Sequence, residues 1–415
     1  MMLDRRTLIR TGATAAAIAP AAGALSVAGR PAWAANTIKV GVLTDMSGTY
    51  RDLNGPASVA CARAAVQEFG PRGFGIEVVF ADHQNKPDVA VNIARQWFDR
   101  DGVDMVVNLA ASSVALALAE LTREKNKVAI ATSTATSDLT GRACTPNTIH
   151  WVFDTYMLAK STGGATVRAG GDTWFFITAD YAFGHALERD TAEFVRAAGG
   201  RVLGGVRTPF PGTTDFSSFL LQAQASGAKV IGFANAGTDT TNCIKQAAEF
   251  GLTRRGVKLA SLLMFLPDVH SLGLAACQGL VCTETFYWDL NDRTRAFTKR
   301  VRSQAGDAPL CMNHAGDYSS VLHYLKAVAD LGVAAAKADG AAVVARMKAM
   351  PTDDDAFGPG RIREDGRKVH PAYLFEVKRP EESHGLFDYY KLLQTTPSEE
   401  AFRPLAEGNC PLVRT

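Results

Sequence analysis

The sequence has little net charge, few histidines and no long apolar run, and each shortage removes a class of function. Lys and Arg number 44 against 42 Asp and Glu in 415 residues, a formal balance of +2, and no run of basic residues stands out. Nucleic acid and an anionic membrane surface are therefore not expected as partners. No later segment reaches the roughly 18 consecutive apolar residues that a membrane-spanning helix needs. The eight histidines are scattered, and the seven cysteines contain no C-x-x-C pair and no histidine at zinc-ligand spacing. A metal centre and a thioredoxin-like site are thus poor readings. There is no G-x-S-x-G, no H-E-x-x-H, no P-loop, and no G-x-G-x-x-G after a strand-like run. Neither an enzyme nor a cofactor is expected. The acids Asp353, Asp354 and Asp355 are consecutive, face different directions and read as a solvated turn rather than a cation site.

What is present begins with an export signal. Residues 1–34 carry a basic start at Arg5 and Arg6, an alanine-rich stretch over 13–28 and an A-x-A site at Ala32, Trp33 and Ala34. Cleavage is expected after Ala34, with delivery to the periplasm. The arginine pair followed by Thr7, Leu8 and Ile9 resembles a twin-arginine signal, with the Sec route as the alternative. Residues 1–34 hold four arginines and one aspartate, so the remainder has 40 basic against 41 acidic residues, a balance of −1. Cys61, Cys144, Cys243, Cys277, Cys282, Cys311 and Cys410 then enter an oxidising compartment. Up to three disulfides with open connectivity, or several buried free cysteines, fit equally.

From Asn36 short β-rich runs alternate with helical patterns, as in repeated βαβ units with a parallel sheet. Strands are predicted over 37–44, 76–81, 105–109 and 128–131, with helices over 54–69, 87–98 and 114–123. The pattern then repeats: strands over 174–178, 202–207, 230–233, 257–263 and 280–283, with helices over 187–195, 216–225 and 244–250. Residues 292–349 read as helical, and 357–390 return to strand-like alternation. The predicted class is α/β, with two doubly wound parallel-sheet lobes. The default binding site is the cleft where the carboxyl ends of the two sheets meet.

The strand 38–43 runs into Asp45, Met46, Ser47 and Gly48. With Ala110, Ala111, Ser112 and Ser113, then Ala131, Thr132, Ser133 and Thr134, this order resembles the leucine/isoleucine/valine-binding-protein family. These are type I periplasmic solute-binding proteins of ABC importers. The likeness continues through Gly251, Leu252 and the segment 279–283, and covers nearly all of the chain after the signal. It implies two lobes joined by three crossovers: 35–154 plus 286–357, and 155–285 plus 358–392, with a tail over 393–415. Hinges are expected near Asp154, Thr285 and Gly358. The implied partners are a small-molecule ligand and a membrane permease with its ATPase, and the protein itself is expected to be a monomer.

The resemblance also implies site residues. Ser112 falls on the serine that binds the ligand carboxylate, and Ser113 follows at a helix start that favours an anion. Ser133 and Thr134 match a pair whose backbone faces the ligand. The next position is usually a threonine that touches both ends of an amino acid, and here it is Ala135, with Thr134 or Thr136 as possible substitutes. Phe183 occupies the place of a ligand-side tyrosine, and Asn235, Thr238 and Asp239 lie in another contact loop. Two ligand classes follow, the amino-acid or amide type being the leading expectation and an aromatic carboxylic acid the alternative. An α-amino acid requires Asp239 or Asp268 to face its ammonium, whereas an aromatic or other amino-free acid uses Ser112 and Ser133 for its carboxylate and Tyr50, Phe183 and Phe265 for its ring. Arg51 is a candidate for a second carboxylate, although a solvated loop arginine is the expected reading.

Overall fold

The computed structural model describes residues 36–414, so the export signal lies outside the described residues. The first sheet contains β1 (Thr37–Thr44), β2 (Gly75–Asp82), β3 (Met105–Asn108), β4 (Val128–Ala131) and β5 (Thr148–His150), in the order β2-β1-β3-β4-β5. All its pairings are parallel. Strands β3 and β4 are buried at every residue, which explains why all but Asn108 are apolar. Helices α1 (Gly55–Phe69), α2 (Pro87–Gln96) and α3 (Ser112–Lys125) connect them. Strand β5 escaped the sequence reading because its three residues, one of them apolar, are too few for alternation to show.

The second sheet is also parallel, in the order β7-β6-β8-β9: β6 (Thr173–Ala179), β7 (Arg201–Thr208), β8 (Val230–Ala234) and β9 (Lys258–Ser261). Its helices are α4 (Ala182–Ala197), α5 (Ser217–Ala225), α6 (Thr238–Glu249) and α7 (Leu266–Leu272). The sequence placed 280–283 as the closing strand of this sheet. Instead β10 (Val281–Glu284) pairs antiparallel with β13 (Ala372–Val377), which in turn pairs with β14 (Tyr390–Thr396). Residues 262–280 are taken up by α7 and a short helix before β10 begins, and the full ladder open to it is the one that β13 offers.

Helices α8 (Asp292–Ala305) and α9 (Met312–Leu331) pack along α1, so the chain returns to the first sheet after visiting the second. Helix α10 (Gly340–Ala349) lies against α9 and β4. A small hairpin, β11 (Arg361–Ile362) and β12 (Lys368–Val369), follows. Near one crossing, Asp154 Oδ1 accepts the Met157 N–H at 2.9 Å, and the carboxylate pairs with the buried Arg367 at 3.6 Å. From there the chain rejoins the second apolar cluster, where Phe375, Val377 and Tyr390 pack with Ile177, Ile231 and Phe233. Among the described residues no helix is long and apolar enough to cross a membrane, and no side-chain group has metal-binding composition.

One disulfide forms among the described residues, Cys144–Cys410, and the other five cysteines are buried and free. Both sequence readings of the cysteines are thus partly realised. The bridge spans 266 positions and fastens the C-terminal segment to the loop after β4. Closing so long a loop restricts the unfolded chain. Reduction is expected to lower unfolding stability by about 2–4 kcal/mol, and a Cys410→Ser variant should lose this sensitivity to reductant in thermal melts.

Candidate functional site

The site grows out of the end of β3. Asn108 and Leu109 have φ of 83° and 58°, a left-handed conformation that is strained for residues with side chains. It turns the chain off the strand, so that Ala110, Ala111 and Ser112 pass over the carboxyl end of the sheet. Hydrogen bonds hold the strain in place. Asn108 Nδ2 donates towards Asn54 Oδ1 (3.0 Å), Ser58 Oγ (3.1 Å) and Asp317 Oδ2 (3.0 Å). The Asn108 carbonyl accepts the N–H groups of Thr132 and Ser133, and the Leu109 carbonyl accepts Thr134 Oγ1. Thr132 Oγ1 donates to Asp317 Oδ1. Burial pushes the Asp317 carboxyl up to about 7, against the opposing effect of its hydrogen bonds from Ser58, Thr132 and Asn108.

Above this floor lies a small cleft, with about 280 Å³ of empty space that includes its opening to solvent. Tyr50, Leu53, Asn54, Ala110, Ser112, Ser133, Ala135, Phe153 and Asn313 form one side; Tyr181, Phe183, Ala236, Leu263 and Phe265 form the other. No charged side chain lines it. The polar groups gather on the first-sheet side, and the second side presents rings and aliphatic carbons. Phe153 and Phe265 meet edge to face, with ring centroids 5.9 Å apart.

Ser112 is 2% exposed and is the first residue of α3, with Ala111 in the capping position. Its Oγ accepts the Thr136 N–H at 3.2 Å, and its own O–H has no acceptor among the described residues. It is therefore free to donate into the cavity. The first N–H groups of α3 also lack helical acceptors and add the positive end of the helix dipole. Ser133 differs. Its O–H donates to Asn54 Oδ1 at 2.5 Å and its N–H to the Asn108 carbonyl at 3.1 Å, so it can only accept. In this arrangement Ser133 lines the cavity and its hydroxyl holds Asn54 in place.

Tyr50, Phe183 and Phe265 line the cavity with Ser112 and Ser133, whereas Ser113, Thr134, Asn235, Asp239 and Asp268 do not. Ser113 sits one position outward and is half-buried. The Thr134 hydroxyl is engaged by the Leu109 carbonyl, Thr136 Oγ1 accepts the Asp138 N–H, and neither residue lines the cavity where the threonine is missing at Ala135. What Ala135 does offer is a backbone N–H with no acceptor among the described residues. Asn235 is turned into the protein, where Thr240 Oγ1 donates to its Oδ1 at 2.7 Å and its Nδ2 meets Cys243 Sγ. Asp268 accepts the Phe265 N–H at 3.0 Å and caps α7. Burial holds its carboxyl near 7. Arg51 is exposed and paired with Asp52 at 2.8 Å.

Asp239 is buried on α6 behind the cavity, and its Oδ2 has no hydrogen-bond partner among the described residues. Burial pushes its carboxyl up to about 7. Its charge reaches Tyr50 and Tyr181, whose hydroxyls bond to each other at 2.6 Å and which burial keeps neutral. The lining residues missed as site residues by the sequence reading include Asn54, Asn313, Phe153 and Leu263. Asn313 Nδ2 donates to the Leu53 carbonyl at 3.3 Å, and its Oδ1 has no partner among the described residues.

A small, nearly uncharged cavity between the carboxyl ends of two parallel sheets, polar on one side only, defines a protein built to enclose a small solute. The comparisons agree: the family model for periplasmic binding proteins matches residues 37–383, and the chain belongs to that family. It is similar to a periplasmic binding protein from Burkholderia mallei, at 47% identity over 92% of this chain and 100% of that one, with a TM-score of 0.87. It is also similar to a branched chain amino acid ABC transporter periplasmic ligand-binding protein from Burkholderia xenovorans, at 39% identity over 90% and 99% of the two chains, TM-score 0.78. A solute-binding protein of an ABC transporter from R. palustris, solved in complex with benzoate, shares the fold at 22% identity over 87% and 97%, TM-score 0.76. No curated protein matches the chain.

The isolation of Asp239 has a measurable consequence. Its carboxyl titrates near 7 in the folded chain and near 3.9 in the unfolded one, so the unfolded state releases its proton first. Stability contributed at this position therefore falls as pH rises from about 4 to 7. Asp239→Asn is expected to raise the melting temperature more at pH 8 than at pH 5; an equal gain, or a loss at pH 8, would contradict this.

Proposed function

We propose that the protein is the substrate-binding component of an ABC importer and captures a small carboxylate with an apolar, preferably aromatic, body. The carrying observation is that donors converge at one end of the cavity while no acid lines it. Ser112 Oγ–H, the start of α3 and the Ala135 N–H take the carboxylate; Tyr50, Phe153, Phe183 and Phe265 take the body. Each hydrogen bond to the charged group is worth about 1.5–3 kcal/mol. The ammonium of an amino acid would lie without an ionic partner in the same space, at a cost of several kcal/mol.

The ligand is bound without chemical change. The lobes, 35–154 plus 286–357 and 155–285 plus 358–392, close about crossovers near Asp154, Thr285 and Gly358, and the ligand favours the closed population because it touches both sides. The closed monomer delivers its ligand to a membrane permease and its ATPase. It works in the periplasm after export by a twin-arginine route and cleavage of residues 1–34.

A second reading, a branched-chain amino acid or its amide, is favoured by the unpartnered Asp239 carboxylate and by the name of the Burkholderia xenovorans relative. In that case Asp239 approaches the ammonium beside the tyrosine pair. A thermal-shift screen of the mature chain against aromatic acids, aliphatic acids, branched-chain amino acids and amides separates the two. A ligand at 100 times its Kd adds about 2.7 kcal/mol. Aromatic or aliphatic acids are expected to raise the melting temperature, with Ser112→Ala weakening the hit by about 1–3 kcal/mol. Shifts from amino acids alone, abolished by Asp239→Asn, would replace the first reading with the second.

A further inference from the structure

One carboxylate outside the cavity ties its two sides to each other. Glu284 ends β10, is 1% exposed and does not line the cavity. Its Oε1 accepts the Leu266 N–H at 3.0 Å and the Tyr390 hydroxyl at 3.1 Å, and its Oε2 accepts the Met312 N–H at 3.3 Å. Leu266 is the first residue of α7 and Met312 the first of α9, so the starts of two helices meet on one side chain.

Each helix caps the residue before its start from within. The Phe265 N–H goes to Asp268 Oδ2 at 3.0 Å, and the Cys311 N–H to His314 Nδ1 at 3.2 Å. The next N–H of each has no acceptor inside its own helix. Glu284 supplies it, from 18 and 28 positions away. A buried donor left without such a partner is costly. The neighbours of these two amides are wall residues: Phe265 precedes Leu266 and lines the second-sheet side, whereas Asn313 follows Met312 and lines the first-sheet side. A shift of either helix start carries its wall residue with it.

We infer that Glu284 is a positioning residue that sets the spacing of Phe265 and Asn313, and through it the size of the ligand body that the cavity admits. It acts through two main-chain donors and touches no ligand itself. The inference rests on the reading of this cavity as the ligand site, and it leaves closure of the lobes to the ligand.

The test sets wild type beside Glu284→Gln and Glu284→Ala at pH 9. Burial pushes the Glu284 carboxyl up to about 8, so at this pH it is charged and accepts all three donors. A carboxamide keeps one acceptor oxygen, which can serve one helix start and not the other. The longer bond, to Met312, is the one expected to go. Amide exchange at Met312 should then rise at least about tenfold in Glu284→Gln, the change that loss of one charge-assisted hydrogen bond makes. Leu266 and the strands of both sheets should stay protected as in wild type, whereas Glu284→Ala should release both helix starts.

Selectivity is read by calorimetry with two series of growing body: benzoate, phenylacetate and 3-phenylpropionate, and valine, leucine and phenylalanine. One methylene in a fixed pocket is worth about 10–200-fold. In Glu284→Gln the ratio between the shortest and longest member of the series that binds should move about tenfold towards the longest. Wild-type exchange at both amides would overturn the inference, and so would affinities that fall together with that ratio intact. If neither series binds, the ligand reading fails instead, and the exchange pattern alone decides whether Glu284 places the two walls. Glu284→Gln carries both readouts even if Glu284→Ala folds poorly.

Discussion

The site depends on the side chain of one asparagine at the end of a strand. Asn108 holds an unfavourable backbone conformation and points its amide hydrogens at Asn54, Ser58 and Asp317, which come from the start of α1, its first turn and α9. Three elements far apart in sequence are thereby tied to the point where the chain leaves the sheet. The same amide settles where Ala110–Ser112 run, and so where the free donors of α3 point. Buried polar groups of this kind are costly unless partnered, and here nearly every donor in the floor has an acceptor.

A floor held this way cannot adapt much to a solute. Its donors are set before binding, and the cost of ordering them has been met on folding rather than on capture. The opposite side is different in kind, because rings and aliphatic carbons bind by contact area and tolerate variation in shape. On the proposed reading the floor recognises the charged end of a ligand, and the facing side reads the body. Ala135 sharpens the division: a side-chain donor that could also touch an amino group is absent, and only a backbone N–H remains.

Much of this was readable from residue order. The parallel strands announced themselves through apolar runs flanked by helical periodicity, and Ser112, Tyr50 and Phe183 stood in positions whose neighbours carry a family pattern. Other residues were hidden for physical reasons. Asn54 reads as a helix opener, and only its contact with Ser133 and Asn108 makes it part of the wall. Asn313 lies 259 positions from Asn54 and reaches the cavity because α9 packs on α1. The acids misled in the opposite direction. A carboxylate in an apolar stretch looks like a ligand group, yet Asp268 answers to the Phe265 N–H three residues away, a local cap that the spacing itself contained. Asn235 is likewise satisfied by Thr240, five residues on.

The central claim is that the floor recognises a carboxylate and that no acid lines the cavity to pair with an ammonium. Calorimetric titration of the mature chain with a bound acid and with the primary amide of the same body addresses it directly. The account predicts that the acid binds at least about tenfold more tightly, the equivalent of one charge-assisted hydrogen bond. Equal affinities, or a preference for the amide, would contradict it.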